Sequence, residues 1–474
     1  MARFFPGFFL SGLLTIFIVI LTGCGGGRTA FNPTETLTVT MTGSGSGTVT
    51  SSPAGISCPT TCTANFPQGT QVTLSETPGG NAVFTAWDGA CSGTSSCSVT
   101  LSVTNAVTAM FSAGSGGGGG SPATFVYISS TVSGRTKKIE AFAADATGQL
   151  TPVPGSPFAD NVGSMAANGQ FLFGTDGTNI YSYSIASSGA ITQVASVNAR
   201  QYNNPVKCSG GPGSLFLDNT GATLYDLDYD SDCANNDYQS FNVDTSGALT
   251  YLGSTAAASP VFQTKLSFLG NNDYAYGASC YHYFQEIFGF GRNSDGTLTL
   301  NGSLNSNLPL PTAPTGDAYC PWLAAADPTD HLAISLTPMN GSTFQAAGPA
   351  QLASYTADSS GNLTTTNSAS NMPAVATGGI NDMEMSRSGN YLAVAGTGLQ
   401  VFQFNGADPL TQLTGLLIND QVDQVLWDKN DHLYAISLAS GKLFVFSVTA
   451  SGASQAPGSP YAISKPGYMA VLSN

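Results

Sequence analysis

Charged side chains are scarce in this sequence, and basic ones are the scarcest. Only 9% of the 474 residues are charged, and 13 Lys and Arg against 28 Asp and Glu leave a formal net charge of -15. Binding a phosphate backbone needs clustered basic side chains, whereas Lys137 and Lys138 form the one basic pair here. The composition therefore excludes nucleic acid as a partner.

Catalytic and cofactor motifs are also missing. The sequence has no GxSxG nucleophile elbow, no phosphate-binding P-loop, no HExxH zinc motif and no CxxCH haem motif. The run GSGGGGGS lacks the strand and lysine of a phosphate loop, so it is interpreted as a linker. With 42% hydrophobic residues the chain is too apolar for disorder, and abundant Gly, Ser and Thr indicate a turn-rich, all-β extracellular protein.

The chain begins MARFFPGFFLSGLLTIFIVILTGC, in which Arg3 precedes a long apolar stretch. The ending LTGC resembles a bacterial lipobox, and a transmembrane anchor is the alternative. The resemblance implies a signal peptide over residues 1–23 and lipidation of Cys24, with several acyl chains giving a stable anchor. Gly25, rather than Asp, after the cysteine implies passage to the outer membrane. We therefore expect an envelope protein that contacts the membrane through its lipid.

Eight further cysteines are present: Cys58, Cys62, Cys91, Cys97, Cys208, Cys233, Cys280 and Cys320. An even number in an oxidising compartment predicts disulfides. Zinc is the alternative for CPTTC and CSGTSSC, but no histidine lies nearby and strand and turn patterns flank both segments.

Composition divides the mature chain into a tether (24–35), a first module (36–111), a Gly/Ser linker (112–122) and a long second module (123–474). Apolar residues alternate with period two in the first module, at Leu37, Val39 and Met41, then Val72 and Leu74, then Val99, Leu101 and Val103. The first module is therefore predicted to consist of short strands.

The segments GSGTVTSSPAGISC, FPQGTQVTL, FTAWDGACSG and CSVTLSVTNAVTAMF resemble the bacterial repeat domain, a relative of internalin-type B repeats. The resemblance implies a small β-grasp-like domain that acts as a spacer. It also implies Cys58–Cys62 and Cys91–Cys97 bridges and places Trp87 in the core, an exposed sugar-stacking Trp87 being the alternative.

One unit recurs seven times in the second module. Its second half reads IEAFAADATGQLTPV, IYSYSIASSGAITQV, YQSFNVDTSGALTYL, IFGFGRNSDGTLTLN, LASYTADSSGNLTTT, LQVFQFNGADPLTQL and LFVFSVTASGASQAP. The spacing of roughly 40 to 65 residues is that of four-stranded propeller blades. An aromatic at the third or fourth position would pack between blades: Phe142, Tyr183, Phe241, Phe290, Tyr355, Phe402 and Phe446.

The first unit lacks its inner strand. PGSPFA at residues 154–159 closes unit one and PGSPYA at 457–462 closes unit seven, after which PGYMAVLSN ends the chain. We expect these last residues to complete the first blade, which removes open sheet edges. The fold class is thus all-β, a seven-bladed β-propeller closed by its C-terminal strand plus a small β-grasp-like domain.

The repeats resemble lactonase-like seven-bladed propellers, related to propeller-type 6-phosphogluconolactonase and to YVTN repeat proteins. The phrase Y-x-I/V…(S)GxLT carries the resemblance, which spans Phe125 to Asn474 and departs from the family in that the usual DPxGxxL turn survives only as DPTDHL. The family implies the fold, but a propeller supports many activities.

Few side chains suggest chemistry. His331 and His432 occupy equivalent turn positions in different blades and cannot share one centre. His282, with Tyr281 and Tyr283 in CYHYFQ, could line a ligand pocket, and the residue type is a common general base.

The run YDLDYDSDC has aspartates at period two, so a strand would place four carboxylates on one side: Asp226, Asp228, Asp230 and Asp232. Four carboxylates suit calcium, although a solvated strand end is the alternative because the glycine of a calcium loop is absent. The run ends at Cys233, which is expected to pair with Cys208, leaving Cys280 and Cys320 for each other.

The favoured function is a non-catalytic, lipid-anchored propeller that binds a small molecule, glycan or protein at its axial face. The alternatives are a lactonase-like hydrolase in the envelope and an adhesin or glycan binder. Few basic residues occur in the propeller, and no two lie at matched inner-strand positions, which disfavours phosphorylated sugars.

Overall fold

The computed structural model describes residues 33–43, 45–79, 83–93, 97–112, 124–133, 136–202, 211–229, 237–256, 265–281, 284–300 and 309–473. Contacts divide the chain into two compact units, Met1–Gly116 and Gly117–Asn474. Apart from one 3₁₀ turn at Ala199–Tyr202, the regular structure of the described residues is β-strand. The predicted all-β class is confirmed.

The N-terminal unit consists of two four-stranded sheets. Its strands are β1 (Thr34–Thr42), β2 (Ser46–Ser52), β3 (Ser57–Cys58), β4 (Thr63–Pro67), β5 (Gln71–Gly79), β6 (Val83–Gly89), β7 (Cys97–Thr100) and β8 (Asn105–Ser112). The sheet orders are β4-β1-β8-β6 and β3-β2-β5-β7, and β1 lies parallel to β8. The first and last strands of this small all-β domain therefore lie side by side in one sheet.

The core of this domain follows the alternation in its sequence. Leu37, Val39 and Leu101 are buried, and Trp87 is 2% exposed, so its indole packs in the core and does not form a sugar platform. Val103 continues the period-two pattern of the sequence but lies outside the strands and is 61% exposed, because β7 ends at Thr100 and the chain turns before β8. Disulfides join Cys58 to Cys62 and Cys91 to Cys97, as the family resemblance implied.

The second unit contains the remaining strands. They are β9 (Thr124–Ser133), β10 (Thr136–Ala144), β11 (Leu150–Pro152), β12 (Met165–Ala167), β13 (Phe171–Thr175), β14 (Asn179–Ile185), β15 (Ile191–Asn198), β16 (Gly211–Leu217), β17 (Thr223–Tyr229), β18 (Asp237–Val243), β19 (Leu249–Ala256), β20 (Ser267–Phe268), β21 (Tyr274–Tyr281), β22 (Phe284–Arg292), β23 (Leu298–Leu300), β24 (Asp317–Ala326), β25 (His331–Asn340), β26 (Gln351–Ala357), β27 (Leu363–Thr364), β28 (Asp382–Met385), β29 (Tyr391–Asn405), β30 (Asp408–Gln412), β31 (Ile418–Gln421), β32 (Gln424–Trp427), β33 (His432–Ser437), β34 (Lys442–Thr449), β35 (Gly452–Gln455), β36 (Tyr461–Ala462) and β37 (Pro466–Ser473).

These strands form seven antiparallel sheets, which are the blades of the propeller. Blade 1 has the order β37-β9-β10-β11, and blades 2 to 5 are β12–β15, β16–β19, β20–β23 and β24–β27. Blade 6 contains β28 to β31, and its long strand β29 folds back on itself, since Phe404 N donates to Asn390 O across a turn at Gly398. Blade 7 contains β32 to β36. The seven predicted repeats are confirmed as seven blades.

The C-terminal strand closes the ring. Strand β37 pairs antiparallel with β9, from Pro466 opposite Ser130 to Ser473 opposite Thr124. Its two faces pack into different clusters: Ala470 and Leu472 lie against blade 2, while Met469 and Val471 lie against blade 7. The last residues of the chain therefore complete blade 1 and fill both of its interfaces, as the sequence predicted.

The repeated aromatic packs each blade against the preceding one. Tyr183 of blade 2 joins Phe125 and Tyr127 of blade 1, and the same arrangement recurs in every blade. Phe142 of blade 1 meets blade 7 and is partly buried.

The glycine of the outer turn has a second role at these interfaces. Tyr127 OH donates to Gly189 O at 2.9 Å, Tyr225 OH to Gly296 O at 2.7 Å, and Tyr276 OH to Gly361 O at 2.5 Å, each bond joining one blade to the next. All three glycines have φ near +80 to +94°, a region in which glycine has no Cβ penalty. The repeated SGxLT phrase thus provides both the turn and the inter-blade acceptor.

Candidate functional site

Several predicted residues lie outside the described part of the chain. These are Cys24, Cys208, Asp230, Asp232, Cys233, His282 and Tyr283. Tyr281 ends strand β21, and its side chain is likewise not described. The lipid anchor, the Cys208–Cys233 bridge and the aromatic ligand pocket therefore stay predictions, and so does the glycan-binding alternative. The described residues contain no helix of the length and apolarity that a bilayer span requires. The expected Cys280–Cys320 disulfide is present and joins blades 4 and 5.

The two equivalent histidines begin the second strands of blades 5 and 7. His331 lies 2.9 Å from Thr329 Oγ1 and 3.4 Å from Asp327 Oδ2, near the surface. His432 is 4% exposed, and its Nδ1 lies 2.8 Å from Asp428 Oδ2. Each histidine contacts the aspartate of its own turn, so neither belongs to a shared centre.

Asp226 and Asp228 lie between blades 2 and 3. Asp226 is fully buried on the face of β17 that carries Leu224, which packs against blade 2. Its Oδ1 accepts the N–H of Gly213 at 2.9 Å, while Oδ2 has no hydrogen-bond partner. The described residues hold no group of three or more His, Cys, Asp or Glu that could bind a metal, and Asp230 is outside them. A calcium site in this run stays a prediction.

Burial raises the pKa of Asp226 to about 8, and the charge of Asp228 acts in the same direction. The pKa of Asp226 is higher in the folded than in the unfolded state, so the folded state keeps this proton to a higher pH. The protein therefore loses stability as the pH rises from about 4 towards 8. We therefore expect Asp226→Asn to be more stable than the wild type. The difference between their free energies of unfolding, measured by urea titration, should grow as the pH rises from about 4 towards 8.

Asp244→Asn is the matched control, since Asp244 is exposed and hydrogen bonds from Ser246 lower its pKa. This variant should show no such gain. A constant gap for Asp226→Asn from pH 4 to 8.5 would contradict the assignment of a buried, protonated carboxyl group.

A cavity runs along the propeller axis. Its volume is about 520 Å³, and all seven inner strands contribute to its wall, together with the turns that follow several of them. Residues at the wall include Met165, Leu215, Ser267, Ala326, Glu384, Gln424 and Met469, one from each inner strand. Seven blades thus converge on one space.

Inner strands are sheet edges, and side chains of preceding blades satisfy their free N–H groups. Ser164 Oγ accepts Leu215 N at 3.0 Å, and Ser267 Oγ accepts Ala326 N at 2.8 Å. Asp382 Oδ2 accepts Val425 N at 2.9 Å, and Gln424 Oε1 accepts Met469 N at 2.7 Å. Because buried donors need partners, these contacts fix the cavity wall.

An ion pair crosses the cavity. Lys265, just before β20 in blade 4, places Nζ 2.6 Å from Oε2 of Glu384 in blade 6. The pair therefore passes over blade 5. Trp427 of blade 7 holds the strand that carries the acid, because its indole N–H donates to the backbone carbonyl of Glu384 at 2.9 Å. The side chains of Lys265 and Glu384 are 45% and 28% exposed, so both are accessible from the cavity.

Asp382 shares the electrostatics of this pair. Burial raises the pKa of Asp382 to about 6, with the charge of Lys265 opposing the shift and that of Glu384 adding to it. Burial acts to lower the pKa of Lys265, but the negative charges of Glu384 and Asp382 outweigh burial, so the pKa of Lys265 is raised. The Lys265 ammonium therefore interacts with two carboxyl groups, with Glu384 by direct contact and with Asp382 through its charge.

Sequence reasoning did not find this cluster. Lys265 and Glu384 are 119 positions apart in blades that are not adjacent, and neither lies in a recognisable motif. The available signal was a charged residue within the apolar inner strand MEMS, at a position where the other inner strands carry uncharged residues, among them Ala166, Ala325 and Leu426.

Comparisons with known proteins support the fold. No family model and no curated protein matches the chain. The periplasmic gluconolactonase PpgL of Pseudomonas aeruginosa is similar in structure, with a TM-score of 0.55 and 12% identity over 74% of this chain and 99% of that one. A Bacteroides uniformis protein provisionally assigned as a 6-phosphogluconolactonase has a TM-score of 0.52 and 14% identity over the same shares. The second unit therefore has the fold of lactonase-like seven-bladed propellers.

Proposed function

We propose that the propeller holds a small polar molecule of sugar size in its axial cavity, with Lys265 and Glu384 as its charged contacts. The cross-cavity ion pair carries this proposal. Two accessible opposite charges on a fixed wall can exchange their mutual contact for hydroxyl and carbonyl groups of a ligand. The volume of about 520 Å³ lies within the roughly 300–1,000 Å³ of small-molecule sites.

We further propose that this binding protein works outside the cytoplasm, tethered through a lipid on Cys24 to the outer membrane, with the repeat domain as a spacer. The disulfides support an oxidising compartment, in which such bonds persist. The periplasmic location in the name of PpgL agrees with it.

The test of the cavity is a thermal-shift screen of the mature protein against sugars, aldonic acids, sugar lactones and peptidoglycan fragments. A ligand that binds the folded state raises the melting temperature by mass action. We expect the compounds that stabilise the wild type to bind Lys265→Met about tenfold or more weakly, the loss that a charge-assisted hydrogen bond predicts.

Lys442→Met is the matched control. Lys442 forms an ion pair of similar exposure with Asp420, at 3.0 Å, but lies outside the cavity wall. Its variant should bind like the wild type. Compounds that stabilise Lys265→Met as strongly as the wild type would place the ligand elsewhere and refute the axial site.

Hydrolysis of a lactone in the same cavity is the second candidate. The ion pair in the wall favours it, since the Glu384 carboxylate could take a proton from water while the Lys265 ammonium would stabilise the oxyanion. The neighbours named as lactonases share this fold. The screen decides between the two: a lactone consumed faster by the wild type than by Lys265→Met supports catalysis, and a lactone bound but unchanged supports binding alone.

A further inference from the structure

Two basic residues occupy the same position in successive blades. Arg387 and Lys429 each follow the residue that caps the turn after an inner strand. In blade 6 this cap is Ser386, whose Oγ accepts Tyr391 N at 3.0 Å, and in blade 7 it is Asp428, whose Oδ1 accepts His432 N at 2.9 Å. The sequence analysis found no two basic residues at matched inner-strand positions. The matched pair Arg387 and Lys429 lies in the turns that follow these strands.

The turns that carry this pair are fixed to their neighbours. Ser388 Oγ of the blade 6 turn donates to Asp431 Oδ1 of the blade 7 turn at 2.9 Å. Lys429 N donates to Ser473 Oγ, at the end of the closing strand, at 3.0 Å. Arg387 belongs to the cavity wall. Arg387 therefore lines the turn end of the axial cavity and Lys429 lies on the turn next to it; we call these two bonded turns the turn mouth.

The turn mouth carries uncompensated positive charge. Within the described ranges neither Arg387 nor Lys429 has a carboxylate oxygen within 4.0 Å, whereas Lys138, Lys265, Arg292 and Lys442 do. The corresponding residues of other turns on the cavity wall are neutral: Gly169, Asn219 and Pro328.

The carboxylates near Lys429 are already engaged. Asp428 points into the protein, where it accepts hydrogen bonds from His432 and Tyr434, and Asp431 accepts Ser388. Burial lowers the pKa of Lys429; the charge of Arg387 adds to this shift and that of Asp428 opposes it. Because the Ser388–Asp431 bond joins the two turns, Arg387 and Lys429 lie on adjacent turns of the turn mouth.

We infer that Arg387 and Lys429 form an anion-binding site at the turn mouth, which takes a carboxylate or phosphate group of a small ligand. Two adjacent cations repel until an anion lies between them, and the arginine fork matches the two oxygens of either group. The inference rests on the proposed function only in placing the rest of the ligand in the axial cavity. The anion contact can be measured without that ligand.

The experiment is calorimetric titration of the mature protein with sodium phosphate and, separately, sodium acetate, at constant ionic strength. We expect millimolar binding of at least one anion, and binding about tenfold or more weaker in Arg387→Ala/Lys429→Ala, because two charge-assisted contacts are lost. A preference for phosphate indicates a phosphate ester as the natural group, and a preference for acetate indicates a carboxylic acid.

Lys137→Ala/Lys465→Ala is the control, since it removes the same net charge from two other propeller lysines without ion pairs among the described residues. It should bind like the wild type. Equal loss in both double variants would show a general charge effect and overturn the site, as would wild-type protein that binds neither anion. Lys265→Met should retain anion binding, which separates failure of the turn mouth from failure of the axial site.

Discussion

Removal of residues 466–474 is expected to make the protein aggregate or to lower its melting temperature severely. Without β37, six registered backbone positions of β9 lose their partners, and Ser130 and Thr124 mark the ends of this exposed ladder. Each buried group left unpaired costs about 1–3 kcal/mol, against a typical net stability of about 5–15 kcal/mol. The deletion also removes Met469 and Leu472, which are 0% and 3% exposed, from the two interfaces of blade 1.

Deletion of residues 33–112 is the control for this truncation. It removes a domain with its own core and its own disulfides, and the propeller should melt almost as before. A synthetic peptide of residues 464–474 should restore part of the lost stability to the truncated chain. A truncated chain that melts like the full one would show that the C-terminus does not close the ring.

Asp428→Ala is expected to cost about 3–5 kcal/mol, because it leaves several buried donors unpaired at about 1–3 kcal/mol each. The Asp428 side chain is 1% exposed. Its Oδ1 accepts the N–H groups of Asn430 and His432, and its Oδ2 accepts hydroxyl groups of Tyr434 and Thr124 at 3.1 Å. Because Thr124 belongs to blade 1, the substitution also breaks a contact across the closure of the ring.

Asp327→Ala is the matched control for this substitution in blade 5. Asp327 accepts the N–H groups of Thr329 and His331 in the same geometry, but His331 is 23% exposed and can be solvated. Chemical denaturation should show less than half the loss seen for Asp428→Ala. Equal losses would mean that the turn alone, and not the buried network, accounts for the effect.

The pH dependence of stability in the wild type and in Asp428→Ala is a second test of the role of Asp428. Burial acts to raise the pKa of Asp428, but hydrogen bonds from His432 and Asn430 outweigh burial and hold it below its usual range. A depressed folded pKa gives stability that is present above pH 4 and is lost as the pH falls through the folded value. Asp428→Ala should therefore lose less stability than the wild type on acidification below pH 4.

The architecture was readable from the sequence because it repeats. Phe241 and Tyr355 recur at one position of a phrase, and β37 has the sequence of an inner strand at the place where one was missing. Short-range patterns of this kind determine strands, turns and blade interfaces.

The axial site could not be predicted from the repeated sequence pattern. Lys265 meets Glu384 only because the ring brings blades 4 and 6 together, and the buried carboxylate of Asp428 accepts Thr124 Oγ1, 304 positions earlier. Each contact joins residues that share no motif, so it requires the closed ring. The matched positions of Arg387 and Lys429 were visible in the repeat, but they lie in a turn just beyond the inner strands that were compared.

A crystal structure of the protein with the compound that stabilises it most in the screen is the most direct test of the axial site. We predict electron density for the compound inside the ring of inner strands, within hydrogen-bond distance of Lys265 Nζ, with the Lys265–Glu384 contact opened. Density on the outer surface of the blades or on the N-terminal domain, with that contact intact and the cavity filled by solvent alone, would contradict the account.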